Sequence, residues 1–153
     1  MPPMLITEGA FAGWHRWRDV DQGRFQDLVG PVYFRRRDDG VVDCRSETGR
    51  QHSNMADMLH GGYIMTFIDQ ALYAMAADHL ETHRAVTVTC TTDFVGAGIP
   101  GRDILAHGEV VRAAGSMIFL RGTVTQRGED GDSATDRVVA AFSAVLKKVA
   151  PRT

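Results

Sequence analysis

Asn54-Met55-Ala56-Asp57-Met58-Leu59-His60-Gly61-Gly62-Tyr63-Ile64-Met65-Thr66-Phe67-Ile68-Asp69-Gln70-Ala71-Leu72 is the stretch that decides the fold. From Gly61 to about Leu80, Ile64, Phe67, Ile68, Ala71, Leu72, Met75 and Ala76 recur at helical spacing. Tyr63, Met65, Tyr73, Ala74 and Ala77 carry apolar character around the rest of the cylinder. A helix apolar on most sides is expected to be buried rather than laid on a surface. Its apolar part is too short to span a bilayer, and Asp69 and Gln70 interrupt it.

Upstream, 19–29 reads as a short helix stopped by Gly30-Pro31, with Phe25, Leu28 and Val29 as a small apolar face. Val32–Arg37 and Val41–Ser46 read as strands joined at Asp38-Asp39-Gly40, because Asp-Gly accepts the positive φ of a hairpin turn. The stretch 47–59 is polar and irregular. Downstream, 85–95 alternates, with Val86, Val88, Cys90 and Phe94 on one side and Thr87, Thr89, Thr91 and Asp93 on the other, as in a sheet with one apolar face. Strands are expected at 104–112 and 117–126 around Ala113-Ala114-Gly115-Ser116. After an acidic turn at 129–136, Arg137–Val149 reads as a strand buried on both faces. One helix among antiparallel-type strands makes the fold class α+β.

The chain has 153 residues, the size of one domain, and we take 1–153 as a single unit with 1–30 as an N-terminal arm and short helix. A net charge of -2 argues against a general electrostatic grip on nucleic acid or an anionic membrane. Cys44 and Cys90 stand apart, form no C-x-x-C pair and fit a reducing, cytoplasmic setting; no secretory signal is visible. His79 and His83 have a metal-compatible i, i+4 spacing but no third ligand in the motif, and histidines also suit a helix C-terminus. We therefore expect no metal. Arg35-Arg36-Arg37 cannot form one face of a strand and reads as solvated surface. Trp14 and Trp17 are read as packing on the sheet.

The chemistry gathers at the helix. First-turn N–H groups lack intrahelical partners and sit at the positive end of the dipole. Two glycines let a ligand approach that backbone, which makes Gly61 a candidate oxyanion donor. Asp69 lies mid-helix among Phe67, Ile68, Ala71 and Leu72, where a carboxylate needs a partner or a task. It is a candidate general base. Each element has a plain structural reading too: a tight turn with a helix-capping histidine, and an Asp in a solvated groove or paired with an arginine.

The set as a whole is more telling. Asn54 stands six residues before His60, Leu59 precedes His60-Gly61-Gly62, and Asp69 follows His60 by nine. With Ala85-Val86-Thr87-Val88 after the helix, it resembles the acyl-CoA thioesterases of the phenylacetate-pathway and thioesterase-superfamily-member-2 type. The likeness extends by element order over 32–148. Such a resemblance implies a hotdog fold, an antiparallel sheet wrapped around a long helix. It implies a homodimer sharing a continuous sheet, often paired again into a homotetramer, with Asp69 of one subunit facing the His-Gly-Gly loop of the other. By the same resemblance, Asp69 is general base or nucleophile and the Gly61 N–H polarises the thioester carbonyl. His60 and Asn54 position the carbonyl or the water, and Thr87 assists. Gly62, Met58, Arg112, Gly115 and Ser116 would contact the substrate, Arg112 beside the CoA phosphates. Tyr63, Phe67 and Tyr73 are candidates for the acyl pocket or simply for the core. Ala56-Asp57-Met58, where relatives often carry a glycine, and Val95-Gly96-Ala97-Gly98, where they carry a Ser-Pro-Ala-like loop, depart from the pattern.

The implied function is hydrolysis of an acyl-CoA to free acid and CoA, with no cofactor beyond the CoA of the substrate and no nucleic-acid or membrane partner. Two rivals share the fold: a hydratase or dehydratase pairing His60 with Asp69, and a non-catalytic acyl-CoA binder.

Overall fold

The computed structural model describes residues 3–17, 23–80, 82–128 and 135–150. In chain order its elements are β1 (Met4–Leu5), β2 (His15–Arg16), α1 (Phe25–Val29), β3 (Tyr33–Arg36), β4 (Val42–Ser46), α2 (Gly61–Leu80), β5 (Arg84–Phe94), β6 (Ile104–Ala114), β7 (Met117–Gln126) and β8 (Arg137–Val149). The strands form one sheet in the order β1-β2-β3-β4-β6-β7-β8-β5, with every pairing antiparallel. The sheet carries α2 on one face, which is the hotdog arrangement the sequence led us to expect.

The helix is where the core sits. Ile64, Phe67, Ile68, Ala71, Leu72 and Met75 are buried against Cys44, Ile104, Ala106, Ile118, Leu120, Val124, Ala140 and Leu146 of the sheet. Desolvation pushes the Cys44 thiol well up from its ordinary value, so it behaves as a small apolar side chain. A Cβ on Gly108 would meet the end of the Met75 side chain and, at 2.9 Å, the Arg121 backbone carbonyl of β7. The β3–β4 turn closes as expected, with the Gly40 N–H donating to the Arg37 carbonyl (3.0 Å) and Gly40 at φ 85°. The β6–β7 turn narrows to Gly115-Ser116, with Gly115 at φ 56°.

Several expectations are corrected. In β5, Val86 and Val88 are not core residues; they are 46% and 50% exposed, and Thr87 faces the helix instead. The cause is a bulge: Thr87 pairs with Leu146 and Thr89 with Val145, leaving Val88 unmatched. Beyond it the phase is reversed, so Cys90, opposite buried Ala144, turns inward. Strand β8 is covered on one face only, since Ala140, Phe142, Ala144 and Leu146 are buried whereas Ser143 and Lys147 are exposed. Of the expected 19–29 helix, 19–22 lie outside the described residues, and α1 begins at Phe25. Its Phe25 and Leu28 do not pack as an apolar face; they are 66% and 74% exposed. Of the expected acidic turn at 129–136, 129–134 also lie outside the described residues.

The N-terminal arm adds two short strands that alternation did not reveal. Trp14 is buried edge-on to Phe11 with the Arg35 guanidinium 4.5 Å from its ring centre, and Trp17 packs on Phe34. The arginine run is exposed, as expected, and also paired: Arg35 and Arg37 with Asp43, and Arg36 with Asp78. Asp43 is buried. Burial alone would raise its carboxyl, but hydrogen bonds and charge from His107 and Arg35 outweigh that and hold it below the ordinary value. Among the described residues, no helix is long and apolar enough to cross a membrane.

Candidate active site

The site residues fall into two groups at different heights on α2. The first is the loop entering the helix. The Asn54 side-chain oxygen accepts from the N–H groups of Ala56 (2.9 Å) and Met58 (3.2 Å), and the Asn54 N–H donates to the Met58 carbonyl (2.8 Å). The side chain thus folds its own loop into a tight turn, in which Asp57 takes φ 55°. Leu59 is buried and its N–H donates to the Gly98 carbonyl (2.9 Å); a Cβ on Gly98 would come within 2.8 Å of the Leu59 side chain. The buried Gln126 clamps the facing loop, accepting from the Ile99 N–H (2.6 Å) and donating to the carbonyls of Ile99 and Arg102 (both 3.0 Å).

His60 closes this group. Its N–H donates to the His52 carbonyl (2.8 Å), its own carbonyl accepts from Ile64 (3.1 Å), and its Nδ1 accepts from the Gly62 N–H (2.9 Å). The His60 ring therefore caps the helix and takes up the Gly62 donor. Gly61 contributes the neighbouring first-turn N–H, one that no intrahelical carbonyl reaches. A Cβ on Gly61 would lie 3.3 Å from the Phe94 ring. Beneath the loop His52 is buried, stacked on Tyr63 with ring centres 4.1 Å apart, and accepts from the Gly49 N–H at Nδ1 (3.0 Å). Burial lowers its pKa against the opposing pull of the Val29 carbonyl, which favours the neutral ring.

The second group lies lower on the helix. The Thr87 hydroxyl donates to Asp69 Oδ1 at 2.7 Å, and the Tyr73 hydroxyl lies 3.4 Å from the same Thr87 oxygen. The bulge at Val88 is what turns Thr87 toward the helix. Asp69 is half-buried and lines a cleft of about 490 Å³ with Arg24, Phe25, Gln26, Met65, Thr66, Gln70 and Cys90. Apart from Asp69, the sequence did not mark these cleft residues as site residues. Only tertiary proximity joins α1, α2 and β5, so no spacing signals it.

Eight residues separate Gly61 from Asp69, and at 1.5 Å per residue that is about 12 Å along the helix. A base must come within hydrogen-bond reach of its water, so these two groups of one chain cannot serve the same carbonyl. The remaining candidates divide likewise. Met58, exposed, stays with the loop. Gly115 and Ser116 sit at the end of the sheet nearer Thr87, the Ser116 carbonyl accepting from the Lys148 N–H (2.7 Å). Arg112 is exposed and lies opposite Phe119, on the sheet face turned away from α2. Phe67 is core, Tyr63 is buried against His52, and Tyr73 reaches Thr87. His79 and His83 gain no further ligand: among the described residues, no cluster of three or more His, Cys, Asp or Glu is placed to hold a metal.

Comparison with known proteins adds to this geometry. Residues 56–131 match the model of the Thioesterase superfamily. Three solved structures share the fold. A hypothetical thioesterase from Streptococcus pneumoniae, solved with coenzyme A, is 19% identical, with 80% of this chain and 88% of that one covered and a TM-score of 0.64. The PaaI protein of the E. coli phenylacetic acid degradation operon is 19% identical (77% and 79% covered, TM-score 0.63). Zebrafish thioesterase superfamily member 2 is 21% identical (84% and 88% covered, TM-score 0.63). An uncharacterized mitochondrial protein of Candida albicans is 23% identical over 117 residues, which are 74% of this chain; the chain spans about half the length of that curated relative. Over residues 56–131 the chain matches the thioesterase superfamily, and its fold is the hotdog fold of the solved structures it resembles.

Proposed function

We propose that the protein hydrolyses an acyl-CoA thioester, with Asp69 activating water and the Gly61 N–H polarising the carbonyl. One observation carries the reading. A carboxylate placed mid-helix on an otherwise apolar element is oriented by the Thr87 hydroxyl at 2.7 Å and opens on a cleft. A general base needs that combination of fixed direction and access. At the other end, the helix start presents a first-turn donor of the kind that stabilises developing negative charge. The coenzyme A held by the S. pneumoniae relative supports the choice of substrate class.

The separation of about 12 Å along the helix makes the working site a composite of two copies. Strand β5 lies at the end of the sheet and offers an 11-residue edge with exposed Val86, Val88 and Phe94 beside it. An uncovered edge of that length is a template for pairing. Two copies joined antiparallel along β5 would bring Asp69 of one toward the His60-Gly61 loop of the other, and a homodimer or dimer of dimers follows. In this scheme His60 and Asn54 shape the loop that presents the Gly61 N–H. The chemistry needs neither metal nor redox cofactor, since a base and an oxyanion donor suffice for acyl transfer to water. Two separate free cysteines keep the cytoplasm as our proposed location.

The test is release of CoA, followed with a thiol-trapping reagent over a panel of acyl-CoAs, for the wild type and Asp69→Ala. We expect turnover to be lost in the variant while its melting temperature holds. Unchanged turnover would defeat the role of Asp69. Binding without turnover in the wild type would favour a non-catalytic binder, and hydration of enoyl thioesters the hydratase.

A further inference from the structure

The cleft beside Asp69 holds a polar group that the hydrolytic step does not use. Gln70 follows Asp69 on α2 and lines the same cleft. Its Nε2 is buried and finds no hydrogen-bond partner among the described residues. The neighbouring polar groups are differently placed: Asp69 receives the Thr87 hydroxyl, and the Thr66 hydroxyl donates to the Gly62 carbonyl of its own helix (2.8 Å). The rest of the wall is mixed, with Arg24 and Gln26 polar and Met65, Phe25 and Cys90 apolar. Met65 is 43% exposed, Phe25 of α1 more so, and Cys90 borders the floor.

An orphaned buried N–H is a rarer and costlier arrangement than an under-satisfied carbonyl oxygen. The terminal torsion of glutamine is soft and roughly two-fold, so the amide turns easily. With the amide reversed, the donor faces the cleft and the oxygen takes the covered position. The Cα atoms of adjacent residues lie ~3.8 Å apart. Adjacent helical side chains diverge, but Asp69 and Gln70 line one cleft, so an acyl chain whose thioester carbon meets Asp69 passes the Gln70 amide within a few carbons. A volume of about 490 Å³ falls within the range of small-molecule sites.

We infer that Gln70 is a specificity-determining residue and that the preferred acyl groups carry an acceptor oxygen a few carbons from the thioester, in a chain otherwise apolar enough to lie against Met65 and Phe25. This rests on the proposed function for the identity of the reacting bond, but the recognition can be read separately. A site built to donate a hydrogen bond discriminates against the analogue that lacks the oxygen, because its own donor is then left unpaired.

The experiment compares hexanoyl-CoA with 5-oxohexanoyl-CoA and 3-hydroxyhexanoyl-CoA, using the full chain. Two readouts are taken: kcat/KM for CoA release, and the Kd of the corresponding non-hydrolysable S-alkyl CoA thioethers. For the wild type we expect at least one oxygenated member to be favoured about tenfold in both. Gln70→Leu should cut that ratio to near one. Gln70→Glu, similar in size but an acceptor, should invert the preference for the ketone. Equal treatment of all three acyl groups by the wild type overturns the inference, as does a preference that survives in Gln70→Leu. If no thioester is cleaved yet the thioethers are discriminated through Gln70, the hydrolytic reading fails and this one stands. Cleavage without discrimination overturns the role of Gln70 and leaves hydrolysis in place.

Discussion

Replacing Thr87 by Val tests the link between the fold and the chemistry at one atom. The substitution keeps the branched shape that a strand favours and removes the hydroxyl that donates to Asp69 Oδ1 at 2.7 Å. A hydrogen bond to a charged group contributes about 1.5–3 kcal/mol. Asp69 is half-buried, so water can replace part of what is lost, and the lower end of that range applies. If the bond serves to hold the carboxylate in its working direction, about 1.5 kcal/mol corresponds to roughly a tenfold fall in kcat. KM should change little, because Thr87 is not placed to grip the bulk of the ligand. Thr87→Ser restores the donor and should recover most of the rate, which an effect of strand packing alone would not do. The assay is steady-state CoA release on the best substrate for the three proteins, with thermal melts beside it. Turnover of Thr87→Val within twofold of wild type, in a protein where Asp69→Ala is inactive, would refute the orienting role. So would a Ser variant as slow as the Val.

Two further outcomes follow from the loops around the site. Gln126→Leu strands the Ile99 N–H and takes one partner each from the carbonyls of Ile99 and Arg102, which keep the Arg102 N–H and the Thr48 hydroxyl (2.6 Å) respectively. At about 1–3 kcal/mol for the one stranded donor, we expect a loss of about 2 kcal/mol, or a melting temperature lower by about 6 °C. A melt unchanged within 2 °C would show that the 96–101 loop holds without the clamp. The buried His52 predicts a pH dependence. Its folded pKa is depressed by burial, so as pH falls the unfolded chain takes up a proton first, near the ordinary value of about 6.5. Its stabilisation is complete above that value and is lost as pH falls through the folded pKa. The depressed Asp43 acts in the same direction, but only from about pH 4 downward. Melting temperatures should therefore decline between pH 7 and 5 in the wild type and stay level over that interval in His52→Gln. A decline of equal size in both would rule out His52 as its source.

What was legible in the sequence follows from which forces are local. The helix Gly61–Leu80 and the strands Met117–Gln126 and Arg137–Val149 fall where periodicity put them, because long apolar patterns impose their own boundaries. Strands β1 and β2 escaped because two residues cannot show alternation; their place is set by Trp14 and Phe11 packing on Tyr33 and Arg35. Phe25 and Leu28 misled because apolar side chains at a surface look the same in sequence as those in a core. At the site, the Asn54 to Asp69 spacing was readable, as was a capping role for His60 as one of two meanings. The cleft formed by Phe25, Met65, Gln70 and Cys90 was not, since its walls come from three elements distant in sequence. Gln126 was invisible for the same reason: nothing in its neighbours shows that it faces the backbone of the 99–102 loop.

The unmatched residue at Val88 works as a one-residue frame shift inside a strand. Up to Thr87, odd positions address the helix; from Cys90 onward, even positions do. A single period laid across 84–94 assigns half the strand to the wrong side, as strict alternation did. Anyone comparing β5 among related chains must read it in two halves with separate phases. Loss of one residue at this point would do more than shorten an edge. It would rotate one half of the strand by a side, either taking the hydroxyl from the carboxylate or exposing the inward-facing half to solvent.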